Sequence, residues 1–254
     1  MSENQFRLPK APIIEAVLDI DCDMPPGNDI AKLESPAHEL LREHYPNVRP
    51  IYVQTHQIQT QKDQPPQLSV QQAVQALQFM HQGEKQIVQF RAQGYSFNRL
   101  APYTNLDDYL PEIERTWKLF INVAAPTQIR TVRLRYINRI LIPMPEGQLD
   151  LGEYLTVGPR LPDETRFTFT GFLNQYTAVE NETGNHVSIV LTTQPPENPK
   201  QLSLIFDITV ANLQSSEVEN WTWLLARVQA LRGLKNRVFR DTLTEKCLTL
   251  FQQP

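Results

Sequence analysis

Between Ile13 and Cys22 the chain alternates strictly: Ile14, Ala16, Leu18, Ile20 and Cys22 fall on one side, Glu15, Asp19 and Asp21 on the other. That period of two predicts a half-buried strand. Met24-Pro25-Pro26-Gly27-Asn28 ends it, and Asp29 is placed to cap a helix running to about His44, with Ile30, Leu33, Ala37, Leu40 and Leu41 at helical spacing. Tyr45-Pro46 and Pro50 close that helix, and Ile51–Thr60 alternates again. The Gln-rich stretch with Pro65-Pro66 reads as a loop by composition. Leu77–His81, Gln86–Arg91 and Tyr95–Leu100 predict an antiparallel meander turning at Gly83 and Gly94. Thr104 or Asn105 then caps a helix that carries Leu106, Leu110, Ile113, Trp117, Phe120 and Ile121 toward a core, with Pro126 beyond its end.

The second half repeats this grammar. Arg130–Ile142 predicts a long strand stopped by Pro143 and Pro145, and Leu149–Leu155 a turn or two of helix. Arg166–Val179, Asn185–Thr193 and Gln201–Asn212 predict three strands, with a turn at Asn181–Gly184 and a loop at Pro195–Pro199. Ser215 or Ser216 caps a helix bearing Trp221, Leu224, Leu225, Val228 and Leu231, interrupted at Gly233 before a last segment from Leu234 to Phe251. Both halves therefore read β-α-β-β-β-α. The expected fold class is α+β: two related units, residues 1–126 and 127–254, packed as one body. Each is expected to have its own antiparallel sheet backed by a long Trp-bearing helix, since a parallel sheet would need a helix in every crossover.

Composition narrows the function classes. With 24 Lys+Arg against 28 Asp+Glu the net charge is −4, which disfavours broad duplex nucleic-acid binding while leaving room for a local basic groove. Met1–Lys10 is polar, without the apolar run of a secretory signal. No uninterrupted apolar stretch approaches the roughly 20 residues that span a bilayer. The expected setting is the cytoplasm, away from membranes. There Cys22 and Cys247, in no CxxC and beside no histidine, are two reduced, inert thiols.

Four stretches together, PIIEAVLDI (Pro12–Ile20), VRLRYINRILIP (Val132–Pro143), LIFDITV (Leu204–Val210) and FRDTLTEKC (Phe239–Cys247), resemble a sporadically distributed bacterial family of about this length that carries only a serial-number name. The resemblance covers nearly the whole chain. It implies a bacterial cytoplasmic protein with the scattered occurrence of mobile defence or toxin–antitoxin genes, and it carries over no catalytic residues.

The best candidate for function is the strand Arg130–Ile142. Val132, Leu134, Tyr136, Ile140 and Ile142 share one face, and Arg133, Arg135 and Arg139 share the other with Thr131 and Ile137. Arginines two apart on a strand stand about 7 Å from each other, a reach that suits a phosphate or a pair of carboxylates. The stripe is either an anion site or one side of an internal ion-pair ladder, for which Glu15, Asp19 and Asp207 are the partners within reach. Asn138, the polar residue on the apolar face, is expected to bond to backbone.

Other chemistry is thin. His38, His44, His56, His81 and His186 show no HxH or HExxH spacing, so no metal site is expected. There is no GxSxG, Walker A or GxGxxG, and EAVLD lacks the second glutamate and the lysine of an ExExK metal-triphosphate strand. Asp107-Asp108 and Glu112/Glu114 read as helix-start acids. Tyr95, Phe97 and Tyr103 near Arg91 and Arg99 offer a nucleic-acid platform, but their strand parity favours core packing. Arg227, Arg232, Lys235, Arg237 and Arg240 concentrate positive charge late in the last helix, where it complements the helix dipole. The expected function is that of a noncatalytic protein-binding or regulatory module, without cofactor, that partners a toxin or defence effector and has room to form a homo-oligomer. The alternative is a protein holding an anionic small molecule or RNA through Arg133, Arg135 and Arg139.

Overall fold

The computed structural model describes residues 8–59, 67–144, 149–162, 166–167, 169–195 and 197–252. In chain order the elements are β1 (Ile13–Asp23), α1 (Glu34–Leu41), β2 (Asn47–Gln59), β3 (Gln67–Met80), β4 (Gln86–Arg91), β5 (Gly94–Leu100) and α2 (Leu110–Ala124). They are followed by β6 (Gln128–Pro143), β7 (Leu173–Val179), β8 (His186–Gln194), β9 (Gln201–Asn212), α3 (Trp221–Thr242) and α4 (Glu245–Thr249).

The strands build one nine-stranded sheet in the order β2-β3-β4-β5-β1-β6-β9-β8-β7, antiparallel at every pairing. This overturns the expectation of an α+β pair of sheets, each with its own long helix: strand takes 41% of the residues and helix 27%, and a single sheet dominates. The reason lies in the first strand of each half. β1 closes its own half by pairing with β5, and β6 closes the other by pairing with β9; each then has a free edge as apolar as IIEAVLDI. Left open, such edges invite uncontrolled pairing. They pair with each other instead, Leu18 opposite Leu134 and Ala16 opposite Tyr136.

The helices cover one face. Leu18, Ile20, Leu134, Tyr136, Phe206 and Ile208 from the sheet merge with Trp117 and Phe120 of α2 and with Leu224, Val228 and Leu231 of α3 in one continuous core. Trp117 Nε1 donates to the Val218 carbonyl at 3.2 Å, tying the helix of the first half to the approach of α3. The opposite face carries Glu15, Asp19, Arg133, Arg135 and Asp207 from the central strands β1, β6 and β9.

Several local expectations are corrected. A β-bulge at Ile14 turns Ile13 inward and leaves Ile14 38% exposed, so the alternation does not begin at Ile14. The first helix is a 3-10 turn at Ile30–Leu33 followed by α1, which stops at Leu41. Pro50 lies inside β2, which tolerates it because β2 is an edge strand. Much of the Gln-rich stretch is strand β3; Pro65-Pro66 lies outside the described residues. Only Ala76–Met80 of β3 pairs with β4, so its first part continues as a two-stranded ribbon with β2. Val70, Gln71, Gln72 and Ala73 of that part are all exposed, so no apolar alternation marks them. β7 begins only at Leu173. Asn220, not Ser215 or Ser216, caps α3 by accepting from the Trp223 amide, while Ser216 bridges to Ile129. Gly233 does not interrupt α3, which runs on to Thr242.

Candidate functional site

The open face brings the arginine stripe together with carboxylates from both neighbouring strands. Arg135 donates from Nε and Nη2 to the Asp207 carboxylate at 2.6–3.0 Å. Arg133 meets Asp21 at 2.6 Å and Asp19 at 3.9 Å. Arg91, from β4, reaches the same Asp21 at 2.8 Å. Ser96 donates to Asp19. Glu15 accepts from Asn98 at 2.8 Å rather than from an arginine, and Asn98 in turn accepts from Gln89. Arg139 pairs with Glu197, whose side chain is 80% exposed. Sequence parity gave the face on which Asp21 stands; that Arg91 and Glu197 would arrive there depends on the strand order. Each of the three arginines thus has its charge met within the chain. Asp207 also holds the Arg135 guanidinium more firmly protonated than usual.

Of the remaining sequence candidates, Tyr95 and Phe97 are buried under α2, with Tyr95 edge-on to Trp117, and Arg99 lies over Tyr109. The acids at the start of α2 are taken up locally, Glu112 by Arg115 and Tyr45 and Glu114 by Lys118. Among the described residues no group of three metal-type ligands converges. No helix among them is long and apolar enough to cross a membrane.

A second site lies on the helix-covered side, at the seam where the halves meet. There β1, β6, the segment after β5 and α3 leave a cleft of about 160 Å³. Arg232, Lys235, Asn236 and Phe239 line it from α3, at the i, i+3, i+4, i+7 spacing that puts them on one helix face. Tyr136 and Asn138 enter from β6, and Tyr103 and Asp107 from the segment after β5. The Tyr103 and Tyr136 hydroxyls are 3.0 Å apart. Asn138, 1% exposed, donates to the carbonyls of Tyr136 and Phe206, as its place on the apolar face requires.

The charges in this cleft are unevenly met. Arg232, its side chain 12% exposed, donates from Nη1 to Asp107 at 2.8 Å, while its Nε is buried and meets no acceptor among the described residues. The Lys235 ammonium sits 4.1 Å from the centroid of the Tyr136 ring, with no carboxylate in ion-pair contact among the described residues. Burial, and then the repulsion of Arg232, pull its pKa down to about 7. A ring face favours a cation by only about 0.5–2 kcal/mol, too little to offset the loss of water. Burial also raises the Tyr103 and Tyr136 phenols, so both stay protonated. The sequence held a signal for this site. Arg232, Lys235 and Asn236 break the apolar stripe of α3 on the side facing the sheet, and the general excess of basic residues there hid that spacing.

No protein-family model matches the chain, and no curated protein matches it.

Proposed function

We propose that this protein is a ligand-responsive binding protein whose central cleft takes a small anionic molecule. The observation that carries the reading is that Lys235, with no carboxylate partner among the described residues, lines one cleft together with Arg232. The two cations repel each other there, and a carboxylate or phosphate entering the cleft supplies the countercharge. Because the cleft is walled by both halves, an occupant touches β1, β6 and α3 at once and biases their packing. The arginine stripe is the weaker anion site, since Asp21, Asp19, Asp207 and Glu197 already stand against it.

Thermal unfolding with inorganic phosphate and with malonate tests this. A ligand at about 100 times its dissociation constant stabilises by about 2.7 kcal/mol. The wild type should gain melting temperature, and Arg232→Gln should lose the gain. An equal gain in both, or none in the wild type, removes the cleft as an anion site.

A regulatory protein-binding role is the second reading. It is favoured by the open sheet face, which no described helix covers and which ends at the exposed edge residues Leu173 and Val179 of β7.

A further inference from the structure

We propose that Lys235 captures the carbonyl group of a small oxo acid as an imine in the central cleft. The proposal rests on the reading of the cleft as an anion site and names the chemistry of its occupant.

A lysine becomes a nucleophile when its amine is kept neutral, and two arrangements achieve that: an apolar setting and a nearby cation. Both surround Lys235. Its Nζ lies against the Tyr136 ring on a partly buried side chain, and Arg232 stands three residues earlier on the same helix face. The one carboxylate in the cleft, Asp107, is engaged by Arg232 and by Gln229. A pKa of about 7 leaves a large fraction of free amine at neutral pH. Surface lysines, near 10.4, leave almost none.

The remaining groups fit an oxo acid. The Arg232 guanidinium lines the cleft, and a carboxylate one bond from the carbonyl can pair with its charge. The volume of about 160 Å³ admits a molecule of a few heavy atoms and excludes a nucleotide. The Tyr103–Tyr136 hydroxyl pair offers a proton within the cleft. In the step itself, the Lys235 lone pair attacks the carbonyl carbon and the C=O π pair moves to oxygen, which takes a proton. The carbinolamine then loses that oxygen as water, and the nitrogen gives up its last proton to form C=N. One carbonyl compound and one amine give one imine and one water; nothing is oxidised or reduced.

The test is trapping of the full-length protein with glyoxylate and cyanoborohydride at neutral pH, read by peptide mass mapping. Carboxymethylation of Lys235 should outpace that of every other lysine by at least about tenfold, from its larger free-amine fraction. Its rate should reach half-maximum near pH 7, as Lys235 loses its proton beside Arg232 and the neutral Tyr103 and Tyr136 phenols, with Asp107 held by Arg232. Arg232→Gln, if natively folded by circular dichroism, should slow glyoxylate labelling about tenfold and acetaldehyde labelling less, since acetaldehyde loses only the smaller of the two causes that keep Lys235 neutral. Lys235→Arg should abolish the fast adduct. Labelling of Lys235 no faster than of surface lysines overturns the imine. If phosphate still stabilises the wild type, the anion site stands without it; if phosphate fails as well, both readings fall.

Discussion

Leu18 and Leu134 face each other across the β1–β6 pairing, 2% and 1% exposed, and they are the midpoint of the contact that makes two halves into one sheet. Truncating either should remove buried area from both halves. Leu18→Ala or Leu134→Ala should cost about 2–5 kcal/mol. Unfolding followed by tryptophan fluorescence, which reports Trp117 and Trp221 in the two halves, should coincide with unfolding followed by circular dichroism. Separate transitions would contradict a single cooperative body.

The arginine stripe should be energetically graded. Asp207, its side chain 14% exposed, is left facing the sheet when Arg135 is removed. Arg135→Ala should cost about 1–3 kcal/mol. Glu197 is freely solvated, so Arg139→Ala should change stability by less than about 0.5 kcal/mol. Urea denaturation of the two variants checks the order; equal costs would mean that Asp207 finds water as easily as Glu197.

Stability should rise with pH above neutrality because of one lysine. In the folded chain the Lys235 pKa is about 7, below its ordinary 10.5. Between these values the unfolded chain holds a proton that the folded chain lacks, so raising the pH favours folding. The penalty for burying this amine is full at pH 7 and below. It is relieved on the way to pH 10, at a slope of at most about 1.4 kcal/mol per pH unit. Urea denaturation from pH 6.5 to 9.5 should show that slope in the wild type and lose it in Lys235→Met.

Both cysteines should be silent in the native protein. Burial pushes the Cys22 and Cys247 thiols up to about 12, with Asp21 adding to the effect at Cys22. The thiolate is the reactive form. An aromatic disulfide reagent at pH 8 should therefore react at the rate of unfolding, and rapid reaction with native protein would contradict the burial.

A methyl group at Gly94 should be poorly tolerated. Its φ is +142°, and a Cβ there would stand 2.1 Å from the Ile20 carbonyl oxygen, which belongs to the neighbouring strand and cannot yield. Gly94→Ala should cost at least about 1–3 kcal/mol in thermal or urea unfolding.

Much of this fold was legible where one face of an element is wet. β1, β6 and β9 announce themselves by alternation, and α2 by Ile113, Trp117 and Phe120. What the residues do not carry is which strand neighbours which: nothing in IIEAVLDI says that it pairs with β5 and β6 and not with β2. The first part of β3 was hidden because Gln71 and Gln72 are both exposed, whereas its partner β2 could be read from the alternation over Ile51–Thr60. The polar face of the sheet could be read from parity, and with it the position of Arg133, Arg135, Asp19 and Asp21. The cleft as a whole could not, because Tyr103, Asn138 and Lys235 are far apart in sequence, and the break that Arg232, Lys235 and Asn236 make in the α3 stripe marks only one of its walls.

The place of β1 sets an order of events in time. Its partners, β5 and β6, follow it by most of a half-chain: Leu18 pairs with Phe97 on one side and Leu134 on the other. The hairpins β2–β3–β4–β5 and β7–β8–β9 close short loops, whereas β1 must wait for distant residues and bear the larger closure entropy. The strand made first is therefore among the last to be enclosed. During synthesis its apolar face stays open until α2 and β6 have emerged, and a nascent chain stalled before Gln128 would expose the same surface that in the finished protein joins the two halves.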